Sequence, residues 1–270
     1  MDKKGEIMIN RKFVLALVCI VMLMFVSCAG SPKVIEPQFS QWEYIDLVPL
    51  DPQLPVDSPQ LEVALSLLQM KFPKDQAEFF NDLLYSSGDL TRYGDQVIQQ
   101  QRDKYHVEFP EGNGGFNWRY MEDITVSNTE YAGIVIMREL VIYTGGAHGL
   151  VKKQYYVIDL DSRRQVTLDD LFQDCQGEKI RSIIYSKLRD HSGLGEDQPL
   201  SEGIYLTDDP ELSTNFYVTN EGLGLHWNPY EISPYYSGGI NIIVPWREIR
   251  PQMLHSGMEL LTKFHIYLFV

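Results

Sequence analysis

The order of apolar and polar positions divides the chain into an apolar run, a proline-rich stretch, a region with helical spacing and a longer region of alternating residues. Residues 13–26 form an unbroken apolar run. Five prolines follow within residues 28–57, a composition typical of an extended tether, and a first strand is predicted at 42–48. We therefore expect the remaining residues, 58–270, to hold most of the fold.

Residues 58–106 have the apolar spacing of helices. Asp57-Ser58-Pro59 is a start signal for a first helix, and Pro73 ends it. A second helix is predicted from about residue 74, and a third helix ends near residue 106. The positions of the first helix that recur at i, i+3, i+4 and i+7, and so predict one apolar face, are Leu61, Ala64, Leu65 and Leu68.

From residue 118 onward, alternating stretches bounded by turn residues predict strands. Two helices interrupt them: a short helix that starts with capping-box spacing at Thr167, and an amphipathic helix at 178–189. The predicted strands cover 118–126, 131–143, 153–160, 215–218, 222–227 and 240–244, before a closing turn or short helix at 246–254.

Helices followed by clustered antiparallel strands are typical of the α+β class, which is the fold class predicted here. We expect two small lobes. The N-terminal lobe, 58–150, contains helices and strands. The C-terminal lobe, 151–270, is an antiparallel sheet with one inserted helix.

The charge of the chain changes which partners are expected. Its 23 basic and 37 acidic side chains give a net charge of −14. This charge argues against a protein that binds nucleic acid or anionic lipid through bulk electrostatics. The histidines lack the spacing of a zinc-peptidase motif, and no Cys-x-x-Cys is present, so neither a metal nor a cofactor is predicted.

The N-terminal segment has the features of an export signal. Basic residues precede the apolar run, which is too short to span a membrane but suits a signal peptide at 1–27. The residues Phe25-Val26-Ser27-Cys28-Ala29 resemble a bacterial lipobox, although Phe25 stands where leucine is usual. This resemblance implies lipidation of Cys28 and an exported protein anchored on the periplasmic face or the cell surface. The alternative is an unmodified cysteine in an ordinary signal peptide.

Two features of the sequence are candidates for ligand binding. His148 follows a glycine turn at 145–146 and can either face a ligand or fix the turn. A loop at 227–239 contains two prolines and the aromatic residues Trp227, Tyr230, Tyr235 and Tyr236. Such residues are favoured at binding surfaces, although they can equally cap the core. Cys175 is expected to be an inert thiol.

Four motifs occur in order between residues 118 and 254: Thr144 to Gly149, Val166 to Phe172, Gly222 to Tyr235, and the strand from Ile240. Together they resemble the extracellular domain of unknown function shared by RsiV-type anti-sigma factors and PdaC-type peptidoglycan deacetylases. The resemblance implies an α+β envelope module, which senses the basic enzyme lysozyme in the first group and is an accessory domain in the second. The chain shows neither a spanning helix with a sigma-binding segment nor a deacetylase domain, so we expect neither activity.

These observations predict a non-catalytic envelope lipoprotein that binds either a basic protein such as lysozyme or a peptidoglycan glycan. Two alternatives stay open. The first is a hydrolase of wall polymers that uses His148 with a nearby carboxylate. The second is a structural envelope protein whose partner is another lipoprotein.

Overall fold

A computed structural model describes residues 36–53, 58–86, 88–111, 114–126 and 133–268. The predicted signal peptide, the lipidation site Cys28 and the start of the tether lie outside these residues. Within the described residues, no helix has both the length and the apolar character needed to cross a membrane.

The first part of the fold is a six-stranded sheet in which the strands lie in chain order, β1 to β6. All neighbours are antiparallel except β2 and β3, which run parallel. A parallel pair needs a long crossover, and here two helices form it. The strands are β1 (Gln38–Pro49), β2 (Gln60–Phe72), β3 (Trp118–Val126), β4 (Gly133–Tyr143), β5 (Leu150–Asp159) and β6 (Arg164–Gln165); the crossover helices are α1 (Lys74–Tyr85) and α2 (Leu90–Glu108).

The predicted first helix is wrong, because residues 60–72 form strand β2. The residues Leu61, Val63, Leu65 and Leu67 are also spaced by two, and each is at most 2% exposed. The segment thus satisfies both the helical and the strand periodicity. Its pairing with β1 on one side and β3 on the other decides in favour of the strand.

The other predicted elements are confirmed within a few residues of their expected bounds. The side chain of Asp89 accepts the backbone N–H of Arg92 at 3.1 Å and caps α2. The capping box at Thr167 starts α3 (Leu168–Leu171), since the Thr167 N–H donates to the Asp170 carboxylate at 2.7 Å. The amphipathic helix α4 (Glu178–Ser192) ends at Gly193, which has a φ of 69°.

The second part of the fold is an antiparallel sheet of three strands with helices packed beside it. Its core includes Leu225, Val244 and Ile249, all fully buried. The elements are β7 (Phe216–Val218), β8 (Gly222–Trp227), β9 (Ile240–Pro245), α5 (Trp246–Ile249) and α6 (His255–Leu261). The α+β class is therefore confirmed, while the division into lobes at residue 150 stays a prediction.

A buried ionic network holds α2 against the first sheet. The Glu122 carboxylate, 2% exposed, accepts Arg138 Nε at 2.8 Å and the hydroxyls of Tyr93 and Tyr120 at 2.9 and 3.0 Å. Burial raises the pKa of both tyrosines well above the ordinary value, so they remain neutral donors. The buried charge is thus fully paired, as a buried carboxylate must be.

Two asparagine side chains join the sheets at strand β5. The Asn215 amide accepts the Tyr155 N–H at 2.8 Å and donates to the Lys153 carbonyl at 2.7 Å. The Asn228 side-chain oxygen accepts the Lys153 N–H at 2.7 Å. The two side chains thereby complete the backbone hydrogen bonding of β5 where β6 does not reach.

Replacement of Asn215 by alanine will leave two backbone groups of β5 unpaired. We expect Asn215→Ala to lower the free energy of unfolding by about 2–6 kcal/mol, since each unpaired buried group costs about 1–3 kcal/mol. Urea denaturation measures the change. The neighbouring Thr214 is exposed, so Thr214→Ala serves as the control and should change stability by less than ~0.5 kcal/mol. Equal effects of Asn215→Ala and Thr214→Ala on stability would show that the hydrogen bonds from Asn215 to β5 do not stabilise the fold.

Candidate functional site

The structure brings the two candidate features of the sequence together. The imidazole of His148, in the turn between β4 and β5, stacks on the ring of Tyr235, in the loop between β8 and β9. Their ring centroids lie 3.7 Å apart with an interplanar angle of 12°. Tyr230 also stacks on Tyr235, and the centroids of these two rings lie 5.7 Å apart. Three predicted residues therefore form one aromatic cluster.

The four aromatic residues of the loop differ in exposure. Tyr236 and Tyr230 are 81% and 57% exposed, and Tyr235 is half-buried. Trp227 is only 2% exposed, and its indole N–H donates to the Glu211 carbonyl at 2.9 Å. Trp227 thus lies in the core behind the loop, whereas Tyr230 and Tyr236 are open to a ligand.

A groove of about 260 Å³ lies beside this aromatic cluster. Its walls are mostly apolar, with a few polar groups, which is the usual composition of a small-ligand site. At Gly239 the loop passes directly over His226, since a Cβ there would lie 2.8 Å from the imidazole Cε1. The lining residues are Val151, Lys153, His226, Pro229, Tyr235, Tyr236, Gly238 and Gly239. We call this the aromatic groove.

Two polar side chains of the aromatic groove were not identified from the sequence. His226 is 6% exposed, and burial lowers the pKa of its imidazole, which is therefore neutral at pH 7. The Lys153 ammonium lies 3.0 Å from the Glu139 carboxylate, and this hydrogen bond raises the pKa of Lys153. Both residues lie within strands, where nothing in the local pattern distinguishes a groove residue from a structural one.

The loop that carries the tyrosines is held at its start by Asn228. The Asn228 N–H donates to the Glu231 carboxylate at 2.8 Å, while its side chain binds β5. Further along, the Gly238 N–H donates to the Tyr235 carbonyl at 2.9 Å, and Gly238 has a φ of 69°. These contacts fix the positions of the aromatic rings before any ligand binds, which reduces the entropic cost of binding.

Tyr230 has a strained backbone. Its φ is 73°, in the left-handed region that non-glycine residues rarely adopt, and large side chains least of all. The Tyr230 N–H donates to the Ser233 carbonyl at 3.1 Å, which closes the local turn. Tyr230 therefore places an exposed aromatic ring at a backbone position that suits glycine, at a cost in stability.

The contacts of His148 bear on the hydrolase alternative. His148 is exposed, and its Nδ1 lies 3.2 Å from the Gly149 carbonyl, while its ring face is covered by Tyr235. The glycines of this turn have positive φ as predicted, 98° at Gly145 and 85° at Gly146. Both contacts orient the imidazole, and neither is with a carboxylate that could complete an acid–base pair.

Other groups that could carry chemistry have structural partners. The Cys175 thiol donates to the Asp169 carboxylate at 2.9 Å, and burial raises its pKa to about 11, so it is a poor nucleophile. Asp159, at the end of β5, accepts the hydroxyl of Ser162 at 2.7 Å and pairs with Lys263 at 2.8 Å. Within the described residues, no group of three or more histidine, cysteine and acidic side chains could hold a metal ion.

Comparisons with known proteins agree with this fold. A family model described as "Protein of unknown function (DUF3298)" matches residues 169–247, which contain the tyrosine loop but not His148. A member of this family from Bacteroides fragilis has a similar solved structure, with a TM-score of 0.71 and 17% identity over 84% of this chain and 96% of that chain. A family protein from Pseudomonas aeruginosa has a TM-score of 0.59 and 13% identity over 82% and 95%. No curated protein sequence matches the chain.

The strain at Tyr230 predicts an unusual order of stabilities. We expect Tyr230→Gly to be more stable than Tyr230→Ala by about 1 kcal/mol, because alanine retains the left-handed penalty that glycine avoids. Tyr236, in a 3-10 turn without positive φ, provides the matched pair, and there alanine should be more stable than glycine by roughly 0.5–1 kcal/mol. Thermal or urea unfolding of the four variants tests this reversal. The same order at both positions would show that Tyr230 is unstrained.

Proposed function

We propose that this protein is a non-catalytic binding module of the bacterial cell envelope, and that it binds a peptidoglycan glycan in the aromatic groove. The observation that supports this proposal most directly is the stacked cluster of His148, Tyr235 and Tyr230 beside an open, mostly apolar groove. The fold resembles those of two family members of unknown function, so the proposal is based on the groove rather than on the family.

The aromatic groove combines the features that a sugar needs. Aromatic faces offer flat apolar area, and the tyrosine hydroxyls offer hydrogen bonds at the edge of the same rings. Lys153 and His226 add polar groups to the lining of the groove. Because the loop is tied to β5 through Asn228, the rings are already positioned for stacking on the face of a sugar ring.

A second candidate ligand is a basic protein such as lysozyme. Two observations favour it: the net charge of −14, which steers a basic partner towards the surface, and the strongly exposed Tyr230 and Tyr236. Tyrosine is among the residues that dominate binding at protein interfaces. The same tyrosines would then contact a protein surface instead of a sugar ring.

Removal of the central ring of the cluster tests the ligand site. We expect Tyr235→Ala to weaken binding of soluble peptidoglycan fragments at least tenfold, which is about 1.4 kcal/mol. Isothermal titration calorimetry measures the affinity. Tyr267, 54% exposed near the C-terminal end of the chain, supplies the matched control, since Tyr267→Ala removes an exposed ring from elsewhere and should bind as the wild type does.

Three outcomes of this titration would contradict the glycan proposal. Equal losses in the two variants would place the ligand outside the aromatic groove. Binding of lysozyme but not of glycan fragments, lost in Tyr235→Ala, would favour the second candidate. Release of cleaved glycan by the wild type but not by His148→Ala would establish the hydrolase instead.

Anchoring at Cys28 is a separate part of the proposal and has its own test. We expect the full-length protein made in a bacterial host to incorporate a labelled fatty acid, and Cys28→Ser to abolish incorporation because the thiol is the attachment point. Cys175→Ser removes the other cysteine outside the predicted signal and should leave labelling unchanged. Labelling that persists in Cys28→Ser would contradict the predicted anchor. Cross-linking in the same membranes would detect another lipoprotein as partner if the role is structural.

A further inference from the structure

Among the described residues, the face of the first sheet opposite the crossover helices is open to solvent over strands β1 to β4. Across these strands, register pairs Ile45 with Ala64, Ala64 with Met121, and Met121 with Val141. These residues form an apolar row that continues to Val151 on β5. Ile45, Met121 and Val151 are 78%, 38% and 40% exposed. Adjacent apolar residues of this kind on a surface indicate an interaction site.

Small residues on the central strand make this open face concave. Ala64 and Ser66 of β2 lie between larger side chains on β1 and β3, so the floor of the sheet is lowest there. The resulting groove has a volume of about 240 Å³. Its lining side chains on the open face are Glu43, Ile45, Ala64, Ser66, Met121, Asp123, Glu139 and Val141. We call it the sheet groove.

The row beside the apolar one is acidic. Register places Glu43, Ser66, Asp123 and Glu139 side by side on β1 to β4. Glu139 is neutralised by Lys153 at 3.0 Å, whereas no basic side chain forms an ion pair with Glu43 or Asp123 among the described residues. Two uncompensated carboxylates therefore flank Ser66, next to the apolar position at Ala64.

Strand addition at the edge of β1 is a less favourable use of this surface. The backbone N–H of Leu47 already donates to the Asp46 carboxylate at 2.8 Å, so one edge group that a seventh strand would need is occupied. Charged side chains at an edge also disfavour strand pairing. The open face, rather than the edge, is therefore the surface available to a partner.

We propose that the sheet groove binds a basic amphipathic segment of a partner protein, with an aliphatic side chain over Ala64 and a lysine or arginine over Ser66. Residues two apart on a strand are separated by about 6.8 Å, close to the spacing of side chains one helical turn apart. The basic side chain would lie between Glu43 and Asp123, while the aliphatic one contacts Ile45 and Met121. The sheet groove shares no lining residue with the aromatic groove, and the inference does not depend on the function proposed there.

A labelled amphipathic peptide tests the proposal. The probe is a helical peptide of leucine and lysine of about 14 residues, roughly 21 Å long, which exceeds the ~7 Å along β2 between Ala64 and Ser66. Fluorescence anisotropy measures its binding to the whole protein at low salt and at about 0.15 M salt. We expect the double variant Glu43→Gln, Asp123→Asn to bind at least tenfold more weakly than the wild type. A peptide of leucine and glutamate should not bind.

The matched control separates local from bulk electrostatics. Glu196 and Asp197 are exposed in the loop after α4 and do not line the sheet groove, so Glu196→Gln, Asp197→Asn removes the same charge and should change affinity less than about twofold. Ala64→Met fills the floor of the groove without a change of charge, and we expect it to weaken binding as well. Circular dichroism and thermal unfolding establish that each variant is folded.

Three outcomes of these measurements would overturn the proposal. Equal losses in the two charge variants would show that the peptide follows net charge alone, and the proposal would be wrong. Absence of wild-type binding at both salt concentrations, or full affinity in Ala64→Met, would also overturn it. Tyr235→Ala should bind the peptide normally, so failure at the aromatic groove and failure at the sheet groove can be told apart.

Discussion

The hydrogen bonds from Asn215 and Asn228 to the backbone of β5 are the contacts on which the rest of the structure depends. Strand β6 pairs with only the last two residues of β5, so the outer edge of β5 would otherwise be unpaired. Two buried side-chain amides take the place of a further strand. Because Asn228 also begins the tyrosine loop, the same contact that joins the sheets places that loop against the turn that carries His148.

Tyr230 combines a strained backbone with an exposed side chain. A glycine would adopt the same φ without the penalty of roughly 1–2 kcal/mol for a larger residue. The aromatic ring nevertheless contributes little to the core, since it is 57% exposed. Its stacking on Tyr235 extends the aromatic surface beyond His148. The strain at Tyr230 is therefore consistent with the binding role proposed for this loop.

Local patterns predict most of the elements but not the contacts between them. The element that they predict wrongly is β2. Its apolar spacing suits a helix and a strand equally, and its pairing with β1 and β3 determines that it is a strand. His148 and the tyrosine loop each stand out by composition, yet their stacking depends on chain segments far apart in the sequence. Asn215, Asn228 and His226 look like ordinary loop or strand residues, so their roles become visible only when both sheets are in place.

The ion pair between Lys153 and Glu139 affects the charge of both the aromatic groove and the sheet groove. Lys153 lines the aromatic groove and Glu139 lines the sheet groove. Such a partly exposed pair contributes at most about 1 kcal/mol to stability, so its main effect is on the distribution of charge. It neutralises Glu139 and leaves Glu43 and Asp123 as the uncompensated carboxylates of the open face. The aromatic groove, by contrast, holds a paired lysine and a neutral histidine, an environment better suited to an uncharged polar ligand than to a second basic partner.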